Sequence, residues 1–326
     1  MAASTSADNK LLAVLYACGA VGIASSGDTI VKWLSGSYPV HQVLFIRCLI
    51  GIPILTLIVN RNASLASLWG PGTGLSLTRG FIMGSAYLAY ILSIAAMPMA
   101  DSVAIYFVMP LCVAVIAGPM LGERVRLHRW IAIVVGFAGV MIMINPGRGV
   151  LEPAALLALY SAIGYAISQT LARRVVRTVP PAAMAFHSNV AYLAVAVSLA
   201  VIFALLDPGH VEHKSLAFLA RPWQWPHLPD LAAMLLLGTT VAVAMVLFGM
   251  AYKNAESSFV APFEYSAMFW AVVLGFLAFG DVPGLRTLWG GAIVLAAGLF
   301  MLWADRRVDR LAAKPPGVVG ATPPGV

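Results

Sequence analysis

Charge is what this chain has least of. Only 10% of its 326 residues are Asp, Glu, Lys or Arg, while 61% are hydrophobic. An ordinary globular chain carries about 25% charged residues, because a surface in water needs them. This chain cannot cover such a surface, so a soluble fold is excluded and the sequence reads as a polytopic membrane protein. Cysteine is nearly as scarce. Cys18, Cys48 and Cys112 are odd in number, lie within apolar runs and form no CxxC, so neither a disulfide framework nor a thiolate metal site is expected. Small-residue packing is the expected role of all three. A Walker loop, an HExxH and a GxSxG are also missing, which removes support for ATP-driven pumping and for the familiar hydrolases. No cofactor is expected. "HVEH" (His210, Glu212, His213) has metal-ligand types, but it falls in a flexible loop and no metal site is expected there.

What is present is apolar length. A spanning helix needs about 20 mostly apolar residues. Ten runs qualify: 11–33, 39–59, 76–97, 102–121, 129–145, 151–171, 183–206, 229–252, 257–279 and 286–303. Breakers such as "SGSYP", "GERVRLHR", "NPGRG" and "GDVPG" separate them. The first run follows Lys10 and has the outline of a signal peptide. It continues to Trp33, and Asp8 spoils a basic leader, so a first transmembrane helix is the reading taken. Residues 1–10 then form a short cytoplasmic segment, and the Pro- and Gly-rich 304–326 a disordered cytoplasmic tail.

With the N-terminus inside and the runs alternating, the cytoplasmic side holds 14 of the 20 Lys and Arg residues and the other side holds 6. That bias is the positive-inside pattern. It accounts for the net charge of +7 without a nucleic-acid partner and places both termini in the cytoplasm.

The two halves are alike. Leu15-Tyr16 recurs as Leu159-Tyr160, 144 residues on. Glu123 in "LGERV" aligns with Asp281 in "FGDVP" at an offset of 158, and Trp130 and Gly139 align with Trp289 and Gly298 at 159. Each unit, 11–146 and 151–303, holds an odd number of helices, so the second must enter the membrane from the opposite side. The expected fold class is therefore an all-α membrane protein of ten transmembrane helices in two inverted five-helix repeats, an architecture of secondary transporters with a midplane site.

The stretches "VLFIRCLIGIP", "LTRGFIMGSAYLAYILSIAAMPMADSVAIYFVMPLCVAVIAGPMLGERVRLHRWIAIVVGFAGVMIMINPG" and "AYKNAESSFVAPFEYSAMFWAVVLGFLAFGDVPGLRTLWGGAIVLAAGLFM" carry a resemblance. With Pro110, the Gly122–Arg124 exit and the "GFAGV" motif, the chain resembles the EamA-type transporters of the drug/metabolite transporter superfamily over residues 11–303. The resemblance implies carriage of small organic metabolites across the cytoplasmic (inner) membrane, among them amino acids, S-adenosylmethionine or riboflavin-like vitamins, in either direction.

Within the apolar runs a few residues do not belong to packing alone. Glu264 lies about 12 Å into its helix, where a charge costs at least about 2.5–3.5 kcal/mol unless it faces a cavity or a partner. Pro262 and Pro110 each remove a backbone bond, one per repeat. Arg47 lies at a similar depth and reads either as an anchor for a substrate carboxylate and partner of Glu264, or as a snorkelling side chain. Asp28 and Lys32, four apart, read as an ion pair, or Asp28 as a proton site. His187 reads as a proton site or as a hydrogen-bonding packing residue, and it faces away from Asn189. Tyr106, Tyr265 and Trp270 are expected as walls for a planar substrate, while most other aromatics, Tyr87, Tyr90 and Tyr165 included, are expected to pack or anchor.

A secondary active transporter of a small organic metabolite follows, with an amino acid or zwitterionic derivative such as S-adenosylmethionine preferred on the opposite charges of Arg47 and Glu264, and a riboflavin-like vitamin next. Protons or an exchanged metabolite would drive it. Two alternatives stay open: a membrane-embedded enzyme acting on a lipid-soluble substrate, with Glu264 or His187 as base, and a non-transporting scaffold. Monomer and homodimer are both compatible with the sequence.

Overall fold

A computed structural model describes residues 2–122, 127–144, 152–206, 213–255 and 260–312. The described residues are helical, with no strand among them. The elements are α1 (Ala2–Leu34), α2 (Val40–Asn62), a 3-10 turn (Leu65–Leu68), α3 (Thr73–Ala96), α4 (Met99–Tyr106), α5 (Met109–Leu121), α6 (Leu127–Ile144), α7 (Pro153–Val175), α8 (Pro181–Leu206), α9 (Lys214–Ala220), α10 (Leu228–Asn254), a second 3-10 turn (Ala261–Tyr265), α11 (Ser266–Phe279) and α12 (Leu285–Ala312). Among the described residues nine stretches are long and apolar enough to cross a membrane, α4 and α5 counting together, and Phe263–Phe279 is a shorter tenth. Large apolar side chains such as Leu205 (80% exposed) and Leu277 (73% exposed) point outward, as lipid-facing residues do.

Four departures from the sequence reading stand out. α1 begins at Ala2, so the segment assigned to residues 1–10 is helical where described. α12 runs on to Ala312, into the stretch expected to be disordered; residues 313–326 lie outside the described residues. The long polar connection after α8 contains α9, whose Ser215 Oγ donates to the Leu92 carbonyl at 2.7 Å and docks it on α3. The fourth run of the sequence is two helices, not one.

The packing repeats under exchange of the two halves. α1 lies along α10 as α7 lies along α3, and α11 meets α1 as α5 meets α7. α2 crosses α8, and α6 crosses α12, each a helix against its own counterpart. The largest contacts thus join one repeat to the other, and the fold is two interleaved inverted units. At the α6–α12 crossing the backbones touch: a Cβ on Gly139 would stand 2.8 Å from the Gly290 carbonyl oxygen. Equivalent left-handed glycines, Gly122 (φ +72°) and Gly280 (φ +69°), end α5 and α11, where only glycine takes that conformation without strain.

Candidate functional site

Two proline-bearing interruptions place the site. Pro110 has no N–H, so the chain cannot carry the helical ladder through it. α4 stops at Tyr106, Phe107 and Val108 take helical-bridge dihedrals, and α5 restarts at Met109 with Pro110 in its first turn. In the second repeat Pro262 sits within the 3-10 turn Ala261–Tyr265, and α11 follows it. Glu264 therefore belongs to a tight turn ahead of α11, not to the middle of a continuous helix; residues 256–259 lie outside the described residues.

Two chambers meet at these interruptions. The inner one, about 290 Å³, is bounded by α1, α3, α4, α7 and the Glu264 turn. Asp28 and Glu264, one carboxylate from each repeat, line it together, with the aromatic side chains of Tyr87, Tyr90, Tyr106, Phe107, Tyr165 and Phe248. Tyr90 Oη donates to Asp28 Oδ2 at 2.9 Å. Tyr106 packs between Tyr90 and Tyr165, with ring centroids 5.2 and 5.7 Å away. The wider chamber, about 530 Å³, runs past Pro110, Tyr265 and Gln169 to Arg129, Arg173 and Asp305. Phe107, Met109, Tyr165 and Glu264 line both and form the neck between them. Chemically the inner room is a box of aromatic faces with two acidic groups, an arrangement that attracts a cationic or partly cationic organic molecule. Among the described residues no cluster suited to a metal ion occurs.

The residues expected at the site are distributed as follows. Asp28, Tyr106 and Glu264 meet in the inner chamber, and Pro110 and Tyr265 in the outer one. Pro262 lies two residues from Glu264 in the same turn. Tyr265 packs across Gly298, with its ring 5.1 Å from that of Phe107. Arg47 lines neither chamber. It lies behind Tyr87, its guanidinium carbon 4.5 Å from the ring centroid, and the carboxylate within its electrostatic reach is Asp28. Trp270 packs its indole on Gly22 of α1, where an added Cβ would come within 3.0 Å. His187 is 3% exposed and stands apart from both chambers. Its Nε2 meets the Leu68 carbonyl at 3.0 Å, so that nitrogen donates, and Nδ1 accepts from Ser76 Oγ at 2.9 Å. Asn189, on another face of α8, donates to the Cys48 carbonyl at 3.0 Å.

The expected Asp28–Lys32 pair is not formed, because each finds a better-placed partner on another helix. Lys32 Nζ donates to Asp281 Oδ2 at 2.6 Å and to the Met97 carbonyl at 3.0 Å, and it stands 4.9 Å from the Phe279 ring. His213 pairs with Glu152 at 3.2 Å, while His210 and Glu212 lie outside the described residues. Sequence reasoning treated Tyr87, Tyr90 and Tyr165 as packing residues. The three-residue spacing of Tyr87 and Tyr90, which puts both on one face of α3, was the available signal.

The profile of the EamA-like transporter family matches twice, over residues 11–145 and 152–303. The S-adenosylmethionine uptake transporter of Rickettsia bellii is 24% identical over 87% of this chain and 91% of its own length. The riboflavin transporter of Rhizobium johnstonii is 30% identical over 72% of each chain, and the pseudopaline exporter of Pseudomonas aeruginosa 26% identical over 83% and 88%. A crystal structure aligned over 93% of this chain and 99% of its own, with a TM-score of 0.58 and 18% identity, shares the fold.

Proposed function

This chain belongs to the EamA-like transporter family and is a multi-pass membrane protein, and on that premise we propose that it is a secondary transporter of a small organic metabolite, working by alternating access. It resides in the cytoplasmic (inner) membrane with both termini in the cytoplasm. The reading rests on one observation above others: Asp28 and Glu264, from opposite repeats, line a single aromatic chamber where both helix interruptions converge. Many secondary transporters that work by alternating access place their site near the midplane between inverted repeats.

The inner chamber holds the substrate. Glu264 and Asp28 receive its cationic part, and both take part in coupling to protons or to an exchanged metabolite. Tyr106 supplies a stacking face, and Tyr265 a wall of the approach. Pro110 and Pro262 hold the backbone open, and Trp270 fixes α11 against α1. Arg47 supplies the opposite charge. An amino acid or zwitterionic derivative suits this set, S-adenosylmethionine included, as in the rickettsial relatives; a riboflavin-like planar vitamin is next. His187 is left out of coupling because both its ring nitrogens hold the junction of α3, α8 and the first 3-10 turn.

Uptake and efflux by the purified protein in liposomes, across a metabolite panel with and without a pH gradient, tests the proposal. The wild type should move at least one zwitterionic metabolite, and Glu264→Gln and Asp28→Asn should each abolish that flux. Wild-type flux in both variants would remove the acidic chamber from the pathway.

A further inference from the structure

Arg47 is a permanent cation whose chemistry is unfinished. It is 8% exposed, and its Nε and Nη1 have no acceptor among the described residues. A desolvated guanidinium is tolerated only when its donors are answered, and a carboxylate answers them best. Asn189 borders the same side of Arg47, but it donates through Nδ2 to the Cys48 carbonyl at 3.0 Å and its Oδ1 makes no bond to Arg47 Nε or Nη1. On the α8 and α10 side Arg47 borders a void of about 10 Å³, together with Gly51 and Gly238. That space holds at most about one water. A carboxylate does not fit there and would have to come from the other side.

On the other side stands Tyr87. One face of its ring is 4.5 Å from the Arg47 guanidinium carbon. The ring also stacks on Tyr192 at 5.6 Å with 2° between planes. The same side chain lines the inner chamber beside Asp28 and Glu264. Arg47 is thus one aromatic ring away from a room whose own charged lining is acidic.

We propose that Arg47 under Tyr87 is a covered carboxylate subsite, with Tyr87 as its shutter. The inference rests on the inner chamber being the substrate site. A substrate first seats its cationic group against Asp28 and Glu264. Its carboxylate then displaces the Tyr87 ring and takes the free donors of Arg47. A molecule with only the cation enters but leaves the shutter closed, and a molecule with only the carboxylate meets two like charges. The substrate class is therefore one that carries both groups, and Tyr87 and Arg47 are its specificity-determining residues.

The test uses full-length protein in detergent and ligand pairs that differ only in the carboxylate: L-lysine and cadaverine, L-tryptophan and tryptamine, S-adenosylmethionine and its decarboxylated form. In the wild type the carboxylated member of at least one pair should bind about tenfold tighter or more. Arg47→Gln should collapse that ratio by weakening the carboxylated member alone, and Arg47→Lys, which keeps the charge, should give an intermediate ratio. Tyr87→Ala, which removes the cover, should make Arg47 reactive to phenylglyoxal, which buried wild-type Arg47 resists; an Arg47 still unreactive in that variant would overturn Tyr87 as the shutter. Equal binding within every pair, no binding by any pair, or equal loss of both members in Arg47→Gln would overturn the subsite. Uptake that persists with a ratio untouched by Arg47→Gln would sink the subsite and spare the transport reading. The expected ratios without any flux in liposomes would do the reverse.

Discussion

At the end of the bundle where α1 stops, the two repeats are tied together by short polar bonds. Lys32 bridges to Asp281 and to the Met97 carbonyl, Thr287 Oγ1 donates to Asp101 at 2.6 Å, and Tyr38 Oη donates to Asp230 at 2.6 Å. Gln42 and Gln224 exchange bonds at 2.6 and 3.2 Å, and Arg221 donates to the Ser35 carbonyl at 2.6 Å. At the opposite end the wider chamber reaches Arg129, Arg173 and Asp305. There Arg129 and His128 share Asp305, at 2.9 and 2.7 Å, but all three belong to the neighbouring α6 and α12 and do not cross the chamber mouth. One end is fastened across the repeats around its rim. At the other, bonds between the repeats also form, with Arg174 donating to the Met120 carbonyl and Arg79 to the Ser168 carbonyl and Ser188, but those at Asp305 leave the chamber mouth uncrossed. In a bundle that admits its cargo from alternate sides, the fastened end is the one whose bonds must break.

Three experiments press on this contrast, from the largest expected effect to the smallest. The largest comes from making the fastening permanent. Lys32→Cys with Asp281→Cys, in a background with Cys18, Cys48 and Cys112 replaced, should be bridged by a short bifunctional thiol reagent, and flux in liposomes should fall to background. Undiminished flux in the bridged protein would mean that this end does not move. At the foundation of the open end, His187→Ala removes two buried hydrogen bonds. Thermal unfolding in detergent should register a loss of about 1–3 kcal/mol, while the pH profile of transport keeps its shape. A displaced profile would restore His187 to the coupling machinery. The smallest effect is expected at Asp305→Asn, because its partners are about a quarter exposed. Stability should change by no more than about 1 kcal/mol, and a greater loss would show that the mouth is tied more tightly than its geometry implies.

Much of this architecture was legible in the sequence, for a physical reason. Lipid demands long apolar runs, and a proline inside one must interrupt it, so the spans and the breaks near Pro110 and Pro262 are local properties. The inversion follows from an odd helix count per unit. Partners were another matter. Lys32 and Asp281 are 249 residues apart, and Tyr90 and Asp28 are 62 apart. Periodicity says which face of a helix a residue occupies, but not which helix comes to meet it. For that reason Arg47 was expected beside Glu264, whereas its neighbours are Tyr87 and Asp28. α9 was missed because a seven-residue helix in a polar connection carries too short a pattern to read.

The crossings of α2 with α8 and of α6 with α12 bring like against like. Each half of the chain therefore carries on its own surface the shape that an upside-down copy of itself would need. Cut between α6 and α7 and made as separate polypeptides in one cell, the halves would present their broadest faces unmatched until they found each other. Reassembly in trans is the natural outcome, and a five-span ancestor that inserted both ways up and paired with itself would have required no other seam.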